Sequence, residues 1–141
     1  MISAVLDANV LVSAAGWRGS DLLCLAAVAR RKALLFLTDE ILAEYQGTIA
    51  ELRVRMPHDP EPVLRWIESV AQRVEPAPLG KQRSRDRDDD PYLTCALAAR
   101  AECVVTHDRD LLILHRPFGI AVISPRQFLA GLGRARTARP S

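Results

Sequence analysis

Cysteine is scarce. The three present, Cys24, Cys95 and Cys103, are odd in number and include no CxxC pair, which excludes a disulfide framework and a zinc knuckle. Long apolar runs are missing too. The stretch Ala33 to Leu37 is typical and falls far short of the ~20 residues that cross a bilayer. The opening MISAVLDAN has no basic segment before an apolar stretch and carries an acid at position 7, so no secretory signal is expected and the expected compartment is the cytoplasm. Glycine-rich phosphate loops are lacking as well. The segment GWRGS fits neither the Walker nor the dinucleotide spacing, which argues against nucleoside triphosphate and NAD chemistry. Aromatic residues are only 5% of the chain, too few for base stacking to be the main source of affinity for a nucleic acid.

What remains is an ordinary globular composition. The 141 residues are 49% hydrophobic and 26% charged, enough for one domain with a core of its own. The net charge is +2, of which Arg134, Arg136 and Arg139 supply +3, leaving −1 for the rest. A domain over 1–133 followed by a basic, flexible C-terminal tail over 134–141 is therefore expected, and the tail is able to touch polyanions.

Short apolar runs alternate with helical patterns. Strands are expected at Ile2 to Leu6, Leu34 to Leu37, Cys103 to Thr106 and Ile120 to Ile123, with Val74 to Leu79 an edge strand or connector. A helical turn or two follows over Ala8 to Ala15, and Ser20 would cap a helix running to about Lys32. Thr38 caps another, with Asp39 and Glu40 in its first turn, running on through Ile49. Further helices are expected at Glu61 to Arg73, from Pro91 through Arg100, and at Pro125 to Gly131. This alternation predicts an α/β layered domain with a mostly parallel sheet.

The chemistry lies in the acids. Asp7 directly follows the first strand and Asp108 comes just after the third, and in open parallel sheets the functional crevice lies beyond the carboxyl ends of strands. Glu44 lies in the helix after the second strand. Asp90 opens the helix PYLTCALAAR behind the run Asp88-Asp89-Asp90. Four gathered carboxylates repel at about 4 kcal/mol per pair at ~4 Å and an effective dielectric near 20, so a divalent cation or protons must neutralise them. Hard oxygen ligands favour Mg²⁺ or Mn²⁺, and such a centre suits phosphodiester cleavage. Taken singly, each acid has a plainer role: Asp7 and Asp108 as turn or cap residues, Glu44 as a solvated helix residue, Asp90 as a helix cap. Asp110 would assist through water or cap the stretch Leu111 to Leu114. His107 is expected on the surface, turned away from the acids, while His58 and His115 have no partner at ligand spacing.

The segments VLDANVLVSA, TDEILAEY and DRDDDPYLTCALAARAECVVTHDRDLL resemble those of the PIN-domain nucleases. Within that family they are most similar to the toxin components of toxin–antitoxin pairs (VapC-like). The likeness runs from about residue 2 to residue 128, and the block from Asp90 to Leu112 is its most specific part. It implies a three-layer α/β/α, Rossmann-like fold. It implies Mg²⁺- or Mn²⁺-dependent endoribonuclease activity that leaves a 5′-phosphate and a 3′-hydroxyl. By family position the metal ligands and catalytic acids fall on Asp7, Glu44, Asp90 and Asp108. Asp90 is favoured over Asp89 because it sets Leu93 and Ala96 at the family's spacing. Asn9, Ser13 and Thr106 match supporting polar positions. Ala8 stands where relatives often have Thr, a departure that removes a hydrogen bond but no ligand.

The same likeness implies a small antitoxin protein as partner and a homodimer, with Trp66 and the helix Glu61 to Arg73 as interface candidates, although a buried core also suits Trp66. An RNA substrate needs cationic contacts, for which Arg18, Lys81, Arg83, Arg85, Arg87 and Arg109 are candidates. The loop holding Lys81 to Asp90 has four cations and four aspartates and could equally be self-paired. Competing readings are a PIN-domain RNA-processing nuclease with no antitoxin, an acidic-pocket α/β phosphatase or phosphoacceptor domain, and a silent binding module. The phosphatase reading wants a second Asp at position 9, or a lysine after Asp108, and has neither.

Overall fold

The computed structural model describes residues 1–77 and 90–138. Five strands form one sheet: β1 (Ile2–Leu6), β2 (Ala33–Leu37), β3 (Gln72–Arg73), β4 (Cys103–Val105) and β5 (Ala121–Ile123). Their order is β3-β2-β1-β4-β5 and every pair is parallel. The strands are short and almost wholly apolar because both faces of the sheet are covered, which removes the alternating pattern of a half-exposed strand. Val5, Val104 and Val105 are fully buried.

Two groups of helices do the covering. α1 (Ala8–Val12), α3 (Asp39–Leu52) and α5 (Asp90–Ala99) pack together, and α2 (Leu22–Ala29) packs with α7 (Pro125–Ala138). α4 (Glu61–Val70) and the single turn α6 (Arg109–Leu112) complete the layers. The result is the expected three-layer α/β/α arrangement. Among the described residues, no single helix is long and apolar enough to cross a membrane.

The topology places the site. From β1 the chain steps outward to β2 and β3, then returns past β1 to lay down β4 and β5. The order therefore reverses between β1 and β4, and at such a switch point the loops leaving neighbouring strands diverge and open a crevice. Asp7 and Asp108 lie in the two loops that flank it.

Element boundaries differ from the sequence expectation where backbone capping decides them. α2 begins after Asp21, not at Ser20, and stops at Ala29. There Lys32 N–H donates to Ala27 O at 2.8 Å and Arg31 N–H to Val28 O at 3.0 Å, closing a Schellman turn with Arg31 left-handed at φ 60°. α4 ends three residues early because Gln72 and Arg73 pair with Phe36 and Leu37 as β3, upstream of the edge strand expected at Val74. α7 continues past Gly131 to Ala138, taking in positions expected to begin the tail. Arginines are good helix formers and suit a C-terminal turn.

α5 ends in the same way as α2. Ala101 N–H reaches Ala96 O at 2.9 Å, and Arg100 occupies the left-handed position at φ 54°. An L side chain there is strained by about 1 kcal/mol relative to glycine. Arg100→Gly is therefore expected to raise the melting temperature by roughly 3–5 °C, and a thermal melt monitored by circular dichroism checks it.

Candidate active site

At the switch point one hydroxyl joins the two loops. The Thr106 hydroxyl donates to Asp7 Oδ2, and its oxygen accepts the Asp108 N–H at 2.9 Å. Asp7 Oδ1 accepts the Asn9 N–H at 3.2 Å, capping α1. Asp108 Oδ1 accepts the Asp110 N–H at 2.8 Å, capping α6. Both acids are thus helix caps, the plainer reading of each, and both are fixed at one point of the sheet edge by a fully buried threonine.

Two tyrosines hold the corner from the helical layer. Tyr45, on α3, donates its hydroxyl to Leu6 O. Tyr92, on α5, accepts the Ala8 N–H at 3.1 Å and also hydrogen-bonds the Asp7 carboxylate. Neither was anticipated as a site residue. Both sit at apolar-face positions of their helices, where a buried aromatic needs no further explanation. Only the hydroxyl, which must find a polar partner once buried, hints at more.

Asp7 is 4% exposed, and burial pushes its carboxyl above the usual value of 3.8. Thr106, the Asn9 N–H and Tyr92 pull it back down, while the charge of Asp108 raises it further. Glu44 is half-buried on α3. Its charge, with that of Asp7, adds to burial in raising the Tyr92 hydroxyl, so Glu44 and Asp7 act on the same group. Asp90 opens α5 two residues before Tyr92, which brings the start of that helix to the β1–α1 corner; the description of Asp90 extends to its backbone only. Asp88, Asp89, Lys81, Arg83, Arg85 and Arg87 lie outside the described residues.

Other expectations change. Asn9 is exposed and serves Asp7 through its backbone N–H, not its side chain. Ser13 opens a π-helical turn, Ser13–Trp17, where its carbonyl accepts the Arg18 N–H at 3.1 Å; among the described residues its hydroxyl bonds no acid. Asp110 is not the cap of the stretch that follows it; Asp108 is, because its extended backbone turns the carboxylate onto the first free N–H. His107 is half-exposed, yet its Nε2 lies 2.8 Å from Oδ2 of Asp21, a buried carboxylate. Asp21 was missed: an acid one residue before a helix carries no sign that it will be covered. Arg18 and Arg109 are exposed. Trp66 is half-buried against the core.

The model of the PIN domain family matches residues 3–110. The chain belongs to the PIN domain family. In fold it is similar to PAE2754 from Pyrobaculum aerophilum, whose crystal structure aligns at a TM-score of 0.59 and 19% identity over 94% of this chain and 90% of that one. No curated protein matches it.

PIN domains are generally hydrolytic nucleases that use divalent metal ions. Whether this PIN domain suits a cation can be judged from its donors. Among the described side chains, which do not include that of Asp90, no three His, Cys, Asp or Glu form a metal-holding group. Asp7 and Asp108 nevertheless supply hard oxygens from the two loops that Thr106 joins. The ion pairs among the described residues join Arg53 to Asp59 and Glu61, Arg73 to Asp39, and His107 to Asp21. None neutralises either acid. Two carboxylates on neighbouring loops, one buried and held among the described residues by neutral donors, fit a divalent cation.

Two outcomes follow for this PIN domain. The fold favours the protonated form of Asp7, so stability is lost as pH rises from the unfolded value of 3.8 through the raised folded value, and the loss is complete above it. Asp7→Asn is expected to melt higher than the wild type at pH 7 in EDTA, with the gap closing below about pH 4. Added Mn²⁺ should raise the wild-type melting temperature more than the variant's. Tyr92→Phe leaves the buried Ala8 N–H without a partner, and urea unfolding should show a loss of about 1–3 kcal/mol.

Proposed function

We propose that this PIN domain is an endoribonuclease that hydrolyses RNA phosphodiester bonds with Mg²⁺ or Mn²⁺, leaving a 5′-phosphate and a 3′-hydroxyl. The observation that carries this reading is the pair of acids joined by Thr106 where the strand order reverses. Asp7, Asp90 and Asp108 would hold the cation, with Glu44 completing the set or orienting water. When bound, the cation supplies positive charge to the phosphate and makes water more acidic.

The chain's own groups prepare that site. Thr106 keeps Asp7 and the Asp108 loop at fixed separation, and the Asn9 N–H and Tyr92 partly offset the burial that raises the Asp7 carboxyl. Arg18 and Arg109 are exposed and suit phosphate contacts. No histidine is required as base, and His107 is engaged with Asp21.

The resemblance to toxin components supports a role as the toxin of a toxin–antitoxin pair, acting in the cytoplasm as a homodimer and checked by a small antitoxin protein. The cytoplasmic part of the reading is supported by three buried free thiols, each pushed up to about 12 chiefly by burial. Growth arrest on expression, relieved by a small adjacent gene, would distinguish a toxin from an RNA-processing nuclease.

Incubation with RNA, with Mn²⁺ or with EDTA, tests the chemistry. Cleavage is expected only with the metal. Asp7→Asn, Asp90→Asn and Asp108→Asn should each lower it by more than about a hundredfold, since even groups that merely orient metal ligands contribute 10–100-fold. Cleavage that survives EDTA, or equal rates in all variants, would refute the mechanism. Release of phosphate from a monoester with RNA left intact would favour the phosphatase reading.

A further inference from the structure

The edge that carries Asp7 and Asp108 also carries a fixed, solvent-facing corner that neither acid explains. α2 starts at this edge, because Asp21, the residue before it, bonds His107 just beyond β4. It finishes at the opposite edge, where Lys32 O accepts the Ile2 N–H at 3.0 Å. The preceding helical stretch, Ala8–Trp17, meets α2 at 92°. The residues joining the two, Trp17 to Ser20, come immediately before Asp21 and so lie close to the edge that carries the acids. At about 1.5 Å per helical residue Trp17 stands roughly 15 Å from Asp7, a few nucleotides along an extended strand.

This corner is held from several sides. Arg18 N–H closes the π turn on Ser13 O at 3.1 Å. Gly16 O accepts the His58 N–H at 3.1 Å. A Cβ on Gly16 would meet Met56 Cγ and Sδ at 2.6 Å, so the backbone is seated directly against that side chain. Asp21 and His107 tie down the far end. Within this frame Trp17 leaves 41% of its surface in solvent, and Arg18 adopts the left-handed conformation at φ 54° and ψ 32°. Both features oppose stability. An exposed indole forfeits burial that other apolar side chains here obtain, and an arginine at positive φ is strained by about 1 kcal/mol. π turns interrupt helices frequently at functional sites.

We propose that Trp17 and Arg18 form a nucleotide subsite beside the cleavage centre, the indole face stacking on an unpaired base and the guanidinium meeting a neighbouring phosphate. This rests on the endoribonuclease reading and adds to it two residues that would meet the substrate strand, which must be unpaired where the ring stacks. In a duplex the base faces are already stacked on one another and cannot reach an external ring. The small aromatic content of the chain is no obstacle, since one rigid ring is enough to register one base while arginines supply most of the affinity.

The test uses the full chain carrying Trp66→Phe, which leaves Trp17 as its one tryptophan. A short single-stranded oligoribonucleotide should quench Trp17 emission, and the same sequence in a duplex should not. In Mn²⁺-supported cleavage of that oligonucleotide, Trp17→Ala should raise KM about tenfold with kcat within about twofold, and Trp17→Phe should restore most of the loss. Arg18→Gly should weaken binding, lower the salt dependence by about one counterion and leave the protein at least as stable. If the wild type cleaves RNA while Trp17→Ala keeps its KM and RNA leaves Trp17 emission unchanged, the subsite is refuted and the nuclease reading stands. If the wild type neither cleaves nor binds RNA, both fail. A change in sedimentation of Trp17→Ala with unchanged KM would assign the ring to a protein interface and overturn the proposal.

Discussion

A single buried hydroxyl ties the two halves of this sheet together at its working edge. Thr106 donates to Asp7 and accepts from the Asp108 backbone, so the loops that follow β1 and β4 cannot separate without leaving a polar atom buried and unsatisfied. Such a loss costs about 1–3 kcal/mol. The parallel register of β1 on β4, with Leu6 opposite Val105, brings the loops together. The threonine then fixes the Asp7 carboxylate and the Asp108 backbone. Because the strand order reverses between these two strands, their loops diverge there and open a crevice.

The acids at that point carry two roles that are usually set against each other. As caps they satisfy free N–H groups of α1 and α6, and the partial positive charge at a helix start favours their ionised form. For Asp7 burial opposes that form most, and the neighbouring charge of Asp108 opposes it further. The balance leaves Asp7 raised, so the hydrogen bonds do not fully compensate for desolvation. A cap that only stabilised a helix would gain by remaining exposed. The covering of Asp7 by Tyr92 and Thr106 instead holds a carboxylate in a low-dielectric place, where a cation would interact with it strongly.

Much of this was legible in the sequence because it depends on local chemistry. Thr38 capping α3 through the Ile41 N–H, the apolar strands and the acids at strand ends all follow from spacing and residue type. Harder to read were contacts between distant segments. Tyr92 finds Ala8 across 84 positions and His107 finds Asp21 across 86, and neither partner differs in type from residues with no such role. Helix ends were displaced wherever an arginine took a left-handed position that usually signals glycine, as at Arg31 and Arg100. The cap assignment moved from Asp110 to Asp108 for a related reason. Two acids separated by one residue offer the same side chain to a helix start, and only the extended backbone of Asp108 decides between them.

The same rim shows why rigidity, and not polarity, marks its functional parts. Arg73 and Asp39 pair at 3.2 Å while both remain mostly exposed, a kind of contact that contributes little to stability. His107 and Asp21 pair with the carboxylate buried. Removing the histidine there would take a hydrogen-bond partner from a buried carboxylate, so α2 and the loop bearing Thr106 and Asp108 are bound more firmly than an exposed pair could bind them. That bond fixes the start of α2, the start of α2 fixes the corner at Trp17 and Arg18, and the β4 loop that anchors it also holds Asp108. Strand register, buried hydroxyl and buried carboxylate thus form one mechanical chain along the edge, and a substrate lying across it would meet a surface already set in place.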